Sequence, residues 1–159
     1  MLDTSLITRK DFDAVAVDHT LSDSTASPEL VAAFSKKAVP IRCRENEVLF
    51  RTGEPGMSVY LVRSGEVGLM LPLTSTGCVG FHAKTGSLVG LPAAFSQEPY
   101  SMTAIAWEGS EVAAMGRDRF CDLVASNPAL SLDVLRILAA ETRAARIAIV
   151  QARAKSLRT

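Results

Sequence analysis

The chain has 159 residues, 48% of them hydrophobic, and its 17 Lys and Arg are balanced by 17 Asp and Glu; that is one domain's length with apolar mass for a core, without the basic excess by which a DNA-binding domain usually shows itself. Three scattered cysteines, Cys43, Cys78 and Cys121, form no Cys-x-x-Cys pair, so no zinc or iron–sulfur site is signalled and a reducing cytoplasm is the expected location. Residues 1–13 hold no apolar signal region, and no apolar run approaches the roughly 18 residues of a membrane helix.

In chain order, residues 1–27 read as an extension and linker. Leu2, Leu6, Ile7, Phe12, Val15 and Val17 follow no clean period, and Asp18 to Ser27 is rich in Ser, Thr and Asp. Ser27-Pro28-Glu29 reads as a helix start, with an N-cap serine and proline in the first turn. Leu30, Val31, Ala33 and Phe34 supply its apolar face, and Lys36-Lys37 suit its end.

From Val39 to Met115 short β-branched and apolar runs alternate with turn residues. The predicted strands are Val39–Cys43, Val48–Arg51, Val59–Arg63, Val67–Leu71, Val79–Ala83, Thr103–Trp107 and Glu111–Met115. Turns are expected at Arg44 to Asn46, Gly53 to Gly56, Ser64-Gly65, Thr74 to Gly77 and Glu108 to Ser110. Evenly spaced short strands predict an antiparallel sandwich or barrel. Gly53, Gly56 and Gly65 are expected to use positive φ at tight turns. Met57, Val59 and Leu61 alternate with Ser58, Tyr60 and Val62, which predicts one face on the barrel interior and one outside.

From Arg117 the pattern is helical, with Phe120, Leu123 and Val124 at 3–4 spacing. A longer helix is expected from about Pro128 to Ala154. Its Val134, Ile137, Ala144, Ala148 and Gln151 follow a 3–4 repeat broken by Glu141. Leu135, Leu138, Thr142, Ala145 and Ile149 form a second stripe, widened by Ile147 and Val150. That apolar width exceeds one seam, so one face is expected on the barrel and one on a partner helix of a homodimer, the other reading being a helix buried wholly in its own domain. Glu141, Thr142 and Gln151 are expected to fix register or face solvent. Arg143, Arg146, Arg153, Lys155 and Arg158 suit the negative end of a helix dipole better than a nucleic-acid patch. The organisation is thus 1–27 extension, 28–127 barrel with short helices, and 128–159 long helix.

Gly53 to Val67 reads G-E-P-G-M-S-V-Y-L-V-R-S-G-E-V, preceded by Glu47-Val48-Leu49-Phe50. This resembles the signature turn and strand pair of the cyclic-nucleotide-binding superfamily, over about Pro28 to Arg146. The resemblance implies a mostly β fold with flanking helices: a jelly-roll-like antiparallel β-barrel plus the long C-terminal helix. It also implies a phosphate-binding cassette, matched here by Gly90 to Thr103. Gly90, Ala93, Pro99 and Thr103 fit the family form. Leu91 stands where the family has the glutamate that binds the ribose hydroxyl, and Tyr100 where it has the arginine that pairs with the phosphate. A phosphate without that cation loses a charge-assisted pair worth about 1.5–3 kcal/mol. Backbone N–H groups from Leu91 to Ala94 can still cradle an anion, less the donor that Pro92 lacks.

These departures argue against ordinary cAMP or cGMP binding. The expected ligand is a cyclic nucleotide or another small anionic or apolar metabolite, with no definite cofactor. The residues expected to line its pocket are Gly90, Leu91, Ala93, Tyr100, Ser101 and Thr103, with Tyr100 hydrogen-bonding or stacking on a ring. Trp107 is expected in the core.

Within the superfamily the chain looks most like the sensor half of Crp–Fnr regulators, which place a helix-turn-helix after the long helix. Thr159 leaves no residues for one, so no direct nucleic-acid contact is expected. Three cysteines fall short of the four that an Fnr-type iron–sulfur site needs. His19 and His82 read as surface or satisfied histidines, so no metal site is expected. No Gly-x-Ser-x-Gly, His-Glu-x-x-His or Walker loop occurs, and no enzyme is expected. Three readings stay open: a sensor with a degenerate cassette, a ligand-free dimerisation or docking module, and the sensing half of a truncated transcription regulator.

Overall fold

A computed structural model describes residues 8–20, 24–73 and 77–158. The N-terminal stretch, expected as an extension and linker, forms a helix, α1 (Arg9–Val15), and a strand, β1 (Ala16–Thr20). Asp18 to Thr20 are therefore strand rather than linker. The helix hangs on one anchor: Phe12 is fully buried, 5.4 Å from the Trp107 ring and 5.1 Å from that of His82. A single anchor in seven residues leaves no period to read. Arg9 pairs with Glu66, which also lies 3.2 Å from His82 Nδ1. Trp107 is in the core, as expected, with Met70 and Ile105.

Ser27 caps the next helix, α2 (Pro28–Lys37), by accepting the Leu30 N–H at 3.2 Å. The strands then follow as β2 (Val39–Arg42), β3 (Glu47–Phe50), β4 (Ser58–Ser64), β5 (Glu66–Pro72), β6 (Cys78–Lys84), β7 (Leu88–Val89), β8 (Thr103–Ala106) and β9 (Glu111–Gly116). A short helix, α3 (Leu91–Ser96), interrupts them, and α4 (Arg117–Ala125) and α5 (Pro128–Ser156) end the chain. The long helix runs two residues beyond the expected Ala154. Of the expected turn at Thr74 to Gly77, residues 74–76 lie outside the described residues; Leu73 donates to the Gly77 carbonyl at 3.2 Å.

Two sheets face each other, in strand orders β1-β6-β5-β8-β3 and β2-β9-β4-β7. The pairings are antiparallel except β1 with β6, which is parallel. This is the jelly-roll-like β architecture that was expected, with the sheets stacked as an open sandwich. Inside it lie Val62, Val67, Leu69, Phe81, Ala104 and Val112. A second cluster outside the β2-β9-β4-β7 sheet joins Val59 and Leu61 to Leu30, Phe34, Phe120, Val134 and Ile137. Strand β4 is therefore covered on both faces. The expected outward face is the seat of the helical layer. Gly53 and Gly65 take positive φ as expected, but Gly56 does not. Its glycine is needed for space, since a Cβ there would stand 2.5 Å from that of Ala93.

The helical layer is stapled by one carboxylate. Asp133 on α5 accepts the Ser27 N–H at 2.9 Å and the Arg136 guanidinium at 2.7 Å. Arg136 also donates to the Thr25 carbonyl at 2.9 Å. Burial by itself would raise the Asp133 pKa, but the hydrogen bonds from Ser27 and Arg136 hold it below the usual 3.8. Asp133→Ala leaves the Ser27 N–H without its acceptor and is expected to cost about 1–3 kcal/mol in denaturant unfolding at neutral pH. A lowered carboxylate pKa stabilises above its unfolded value and loses that effect as the pH falls through the folded one. The difference between variant and parent should therefore be full above pH 3.8 and shrink below it.

Candidate functional site

The elements around the expected cassette enclose a cavity of about 240 Å³. A buried water needs only about 10–15 Å³ by the same kind of measure, so the space admits a small organic molecule. Its walls are mainly apolar: Phe50, Leu69, Phe81, Val89, Pro92 and Met102. Ser96, Glu98, Ser101 and Glu141 bring polar groups to the lining. Among the described residues no lysine, arginine or histidine lines it.

The cassette takes its shape from Gly90, which caps α3 at φ +84°. That conformation favours glycine, and a Cβ would come within 3.1 Å of both the Ser58 carbonyl and the Tyr100 ring. Leu91 then begins α3 and points away from the cavity. It is fully buried with Leu30, Phe34 and Phe120 in the helical layer. The position where the family places a ribose-binding carboxylate is here a core leucine.

Tyr100 is held from three sides. Its ring stacks on Phe50 at 3.8 Å and 14° between planes. Its hydroxyl donates to the Ser58 carbonyl at 2.7 Å and accepts the Ser58 N–H at 3.0 Å. Its backbone exchanges bonds with Gly53 and Glu54, each at 2.9 Å. Burial raises the phenol pKa, so the group stays neutral. The stacking and hydrogen bonding expected of Tyr100 are thus spent inside the protein, and the ring serves as cavity wall.

Of the six residues expected to line a pocket, Gly90, Ala93, Tyr100 and Ser101 do so, while Leu91 and Thr103 do not. The Thr103 hydroxyl accepts the Thr52 N–H at 3.0 Å and lies 3.2 Å from the Thr52 hydroxyl, tying the end of β3 to the start of β8.

Glu141 is the lining residue that sequence reasoning assigned elsewhere. The buried face of α5 runs Leu130, Val134, Ile137 and Ala148, with Ala145 and Ala152 against the barrel core. Glu141 falls on that same face, one turn after Ile137, where the helix passes from the helical layer to the barrel. It therefore meets the cavity instead of fixing register or facing solvent. The residue keeps some exposure, yet burial pushes its carboxyl pKa from 4.5 to about 8. The signal was present as a carboxylate on the apolar repeat. Thr142 is exposed as expected and donates to the Leu138 carbonyl at 2.8 Å.

A sequence model of the family described as the cyclic nucleotide-binding domain matches residues 40–127, more than half of the chain. The fold is similar to that of Thermus thermophilus catabolite activator protein, at 24% identity and TM-score 0.66, covering 80% of this chain and 60% of that one. The c-di-GMP-responsive global regulator CLP of Xanthomonas campestris is 21% identical at TM-score 0.61, with 83% and 64% covered. A cyclic nucleotide-binding domain from Methylobacillus flagellatus is 22% identical at TM-score 0.66, with 92% and 84% covered. The chain thus spans less than two thirds of the length of the first two. No curated protein matches it.

Removing only the Tyr100 hydroxyl tests how far the wall depends on it. Tyr100→Phe keeps the stack on Phe50 but leaves the Ser58 N–H and carbonyl unpaired. Denaturant unfolding should show a loss of about 1–3 kcal/mol with an unchanged m-value.

Proposed function

Because the chain belongs to the cyclic nucleotide-binding domain family, we propose that it is a regulatory sensor domain whose cassette accepts a small, largely apolar ligand in place of an ordinary cyclic mononucleotide. The observation that carries this reading is the cavity itself, roomy, apolar and without a cationic side chain in its lining. A cyclic phosphate entering it would lose its water and meet no counter-charge, which costs several kcal/mol. Glu141 at the cavity wall brings a carboxyl, which offers a phosphate no counter-charge in either protonation state. The short α3 offers little compensation, since Pro92 removes one of its few free N–H donors.

The output runs through α5. This helix touches the cavity with Glu141 and Ala145 and carries apolar side chains on its other side. Leu132, Leu135 and Val150 are 70%, 62% and 62% exposed, and Ile147 and Leu157 are exposed as well. A stripe of that length fits the same helix of a second copy, giving a homodimer across α5. Ligand in the cavity would then bias the packing of the helix that forms the dimer. Among the described residues no single helix is long and apolar enough to cross a membrane, and Cys43, Cys78 and Cys121 are free thiols, which suits work in the cytoplasm.

Two experiments test this. Thermal-shift titrations with cAMP and cGMP are expected to give no saturable rise in Tm; a saturable rise with either would defeat the exclusion of ordinary cyclic nucleotides. Light scattering should find a dimer that Leu135→Glu with Val150→Glu converts to a folded monomer. A parent chain that is monomeric at tens of micromolar would remove the dimer from the account.

A further inference from the structure

Glu141 sets a condition on the ligand. Its carboxyl lines the cavity and forms no hydrogen bond or ion pair among the described residues. The other ionisable groups in the lining are Glu98, exposed, and Tyr100, whose hydroxyl is committed to Ser58. The aliphatic and aromatic walls supply no donor. The hydroxyls of Ser96 and Ser101 are the remaining polar side chains of the lining, and they are neutral. A polar side chain placed on the buried stripe of a helix, where apolar residues stand one turn either side, costs stability unless something satisfies it. Among the described residues no side chain or backbone group does so, and only the group's partial exposure to solvent remains. The cavity beside it is large enough for a molecule that could.

Resting on the reading of this cavity as a ligand site, we infer that its ligand is a small apolar molecule carrying a protonated amine or a similar cationic donor, with the apolar body against Phe50, Phe81 and Met102 and the cation on Glu141. Charge complementarity selects such a ligand. Glu141 faces the space from its buried side and Glu98 from its exposed rim, no cationic side chain opposes them among the described residues, and the rest of the lining favours hydrocarbon or an aromatic ring.

The chemistry carries a proton signature. Burial keeps the empty site's carboxyl protonated up to about pH 8. A bound ammonium favours the carboxylate, so below that pH binding releases the carboxyl proton to the buffer while the amine keeps its own. Affinity for an amine should therefore rise with pH and level off above 8. A neutral ligand of the same body should show neither the release nor the pH dependence.

Three probes of one shape and different charge make the test: phenethylamine, phenethyl alcohol and hydrocinnamate. Each is titrated into the full chain by calorimetry, in two buffers of different ionisation enthalpy, and by thermal shift. The expected result is saturable binding of phenethylamine with proton release, weaker binding of the alcohol, and the weakest of the carboxylate. Glu141→Gln should lower phenethylamine affinity by about tenfold or more while leaving the alcohol nearly unchanged. If all three probes bind alike, or Glu141→Gln keeps full amine affinity, the cationic anchor is wrong and the ligand pocket stands. If none of the three binds a folded protein, the pocket reading itself falls and the inference goes with it.

Discussion

The site depends on the seating of Tyr100. A phenol stacked on Phe50, with both hydrogen bonds of its hydroxyl closed on the Ser58 backbone, makes this position a fixed wall of the cavity. Gly90 makes this fit, since a Cβ there would be strained at φ +84° and would crowd the Tyr100 ring and the Ser58 carbonyl at 3.1 Å. Leu91 is turned into the helical layer and stays out of the cavity lining. What remains beside α3 is a largely apolar chamber with no cationic side chain among its described lining residues.

A second constraint comes from the long helix. Its buried face must serve two cores in succession, the helical layer through Leu130, Val134 and Ile137 and the barrel through Ala145 and Ala148. Between them the helix bridges the cavity, and that is where Glu141 sits. An apolar residue there would close the seam. A carboxyl holds a place that is costly when empty and favourable once a donor arrives. The same helix carries exposed leucines and valine on its other side, so the group that faces the cavity and the exposed apolar stripe belong to one element.

Much of the fold was legible because its signals are local. The strands from Val39 to Met115 alternate and stop at turn residues, and Ser27-Pro28 marks a helix start that the Leu30 N–H completes. The helix and strand at Arg9 to Thr20 were not legible, because their hold is tertiary: one buried phenylalanine and a parallel edge pairing with β6. The lining of the candidate cavity was legible in part for a related reason. A linear cassette names neighbours along the chain but not the side of α3 that each one faces, so Gly90, Ala93, Tyr100 and Ser101 reach the cavity while Leu91 and Thr103 turn elsewhere. Glu141 looked like a break in an apolar stripe, because only the packed helix shows that the stripe crosses a cavity at that turn.

The central claim is that the Glu141 carboxyl, the more buried of the two in the lining, faces a largely apolar chamber with no cationic side chain to answer it among the described residues. Its most direct test is an NMR titration of the Glu141 side-chain carboxyl in the ligand-free protein, assigned by comparison with Glu141→Gln. The account predicts a midpoint near pH 8, far above the ordinary 4.5. A midpoint at or below 4.5 would mean that water or a cation already satisfies the group, and would contradict the chamber described here.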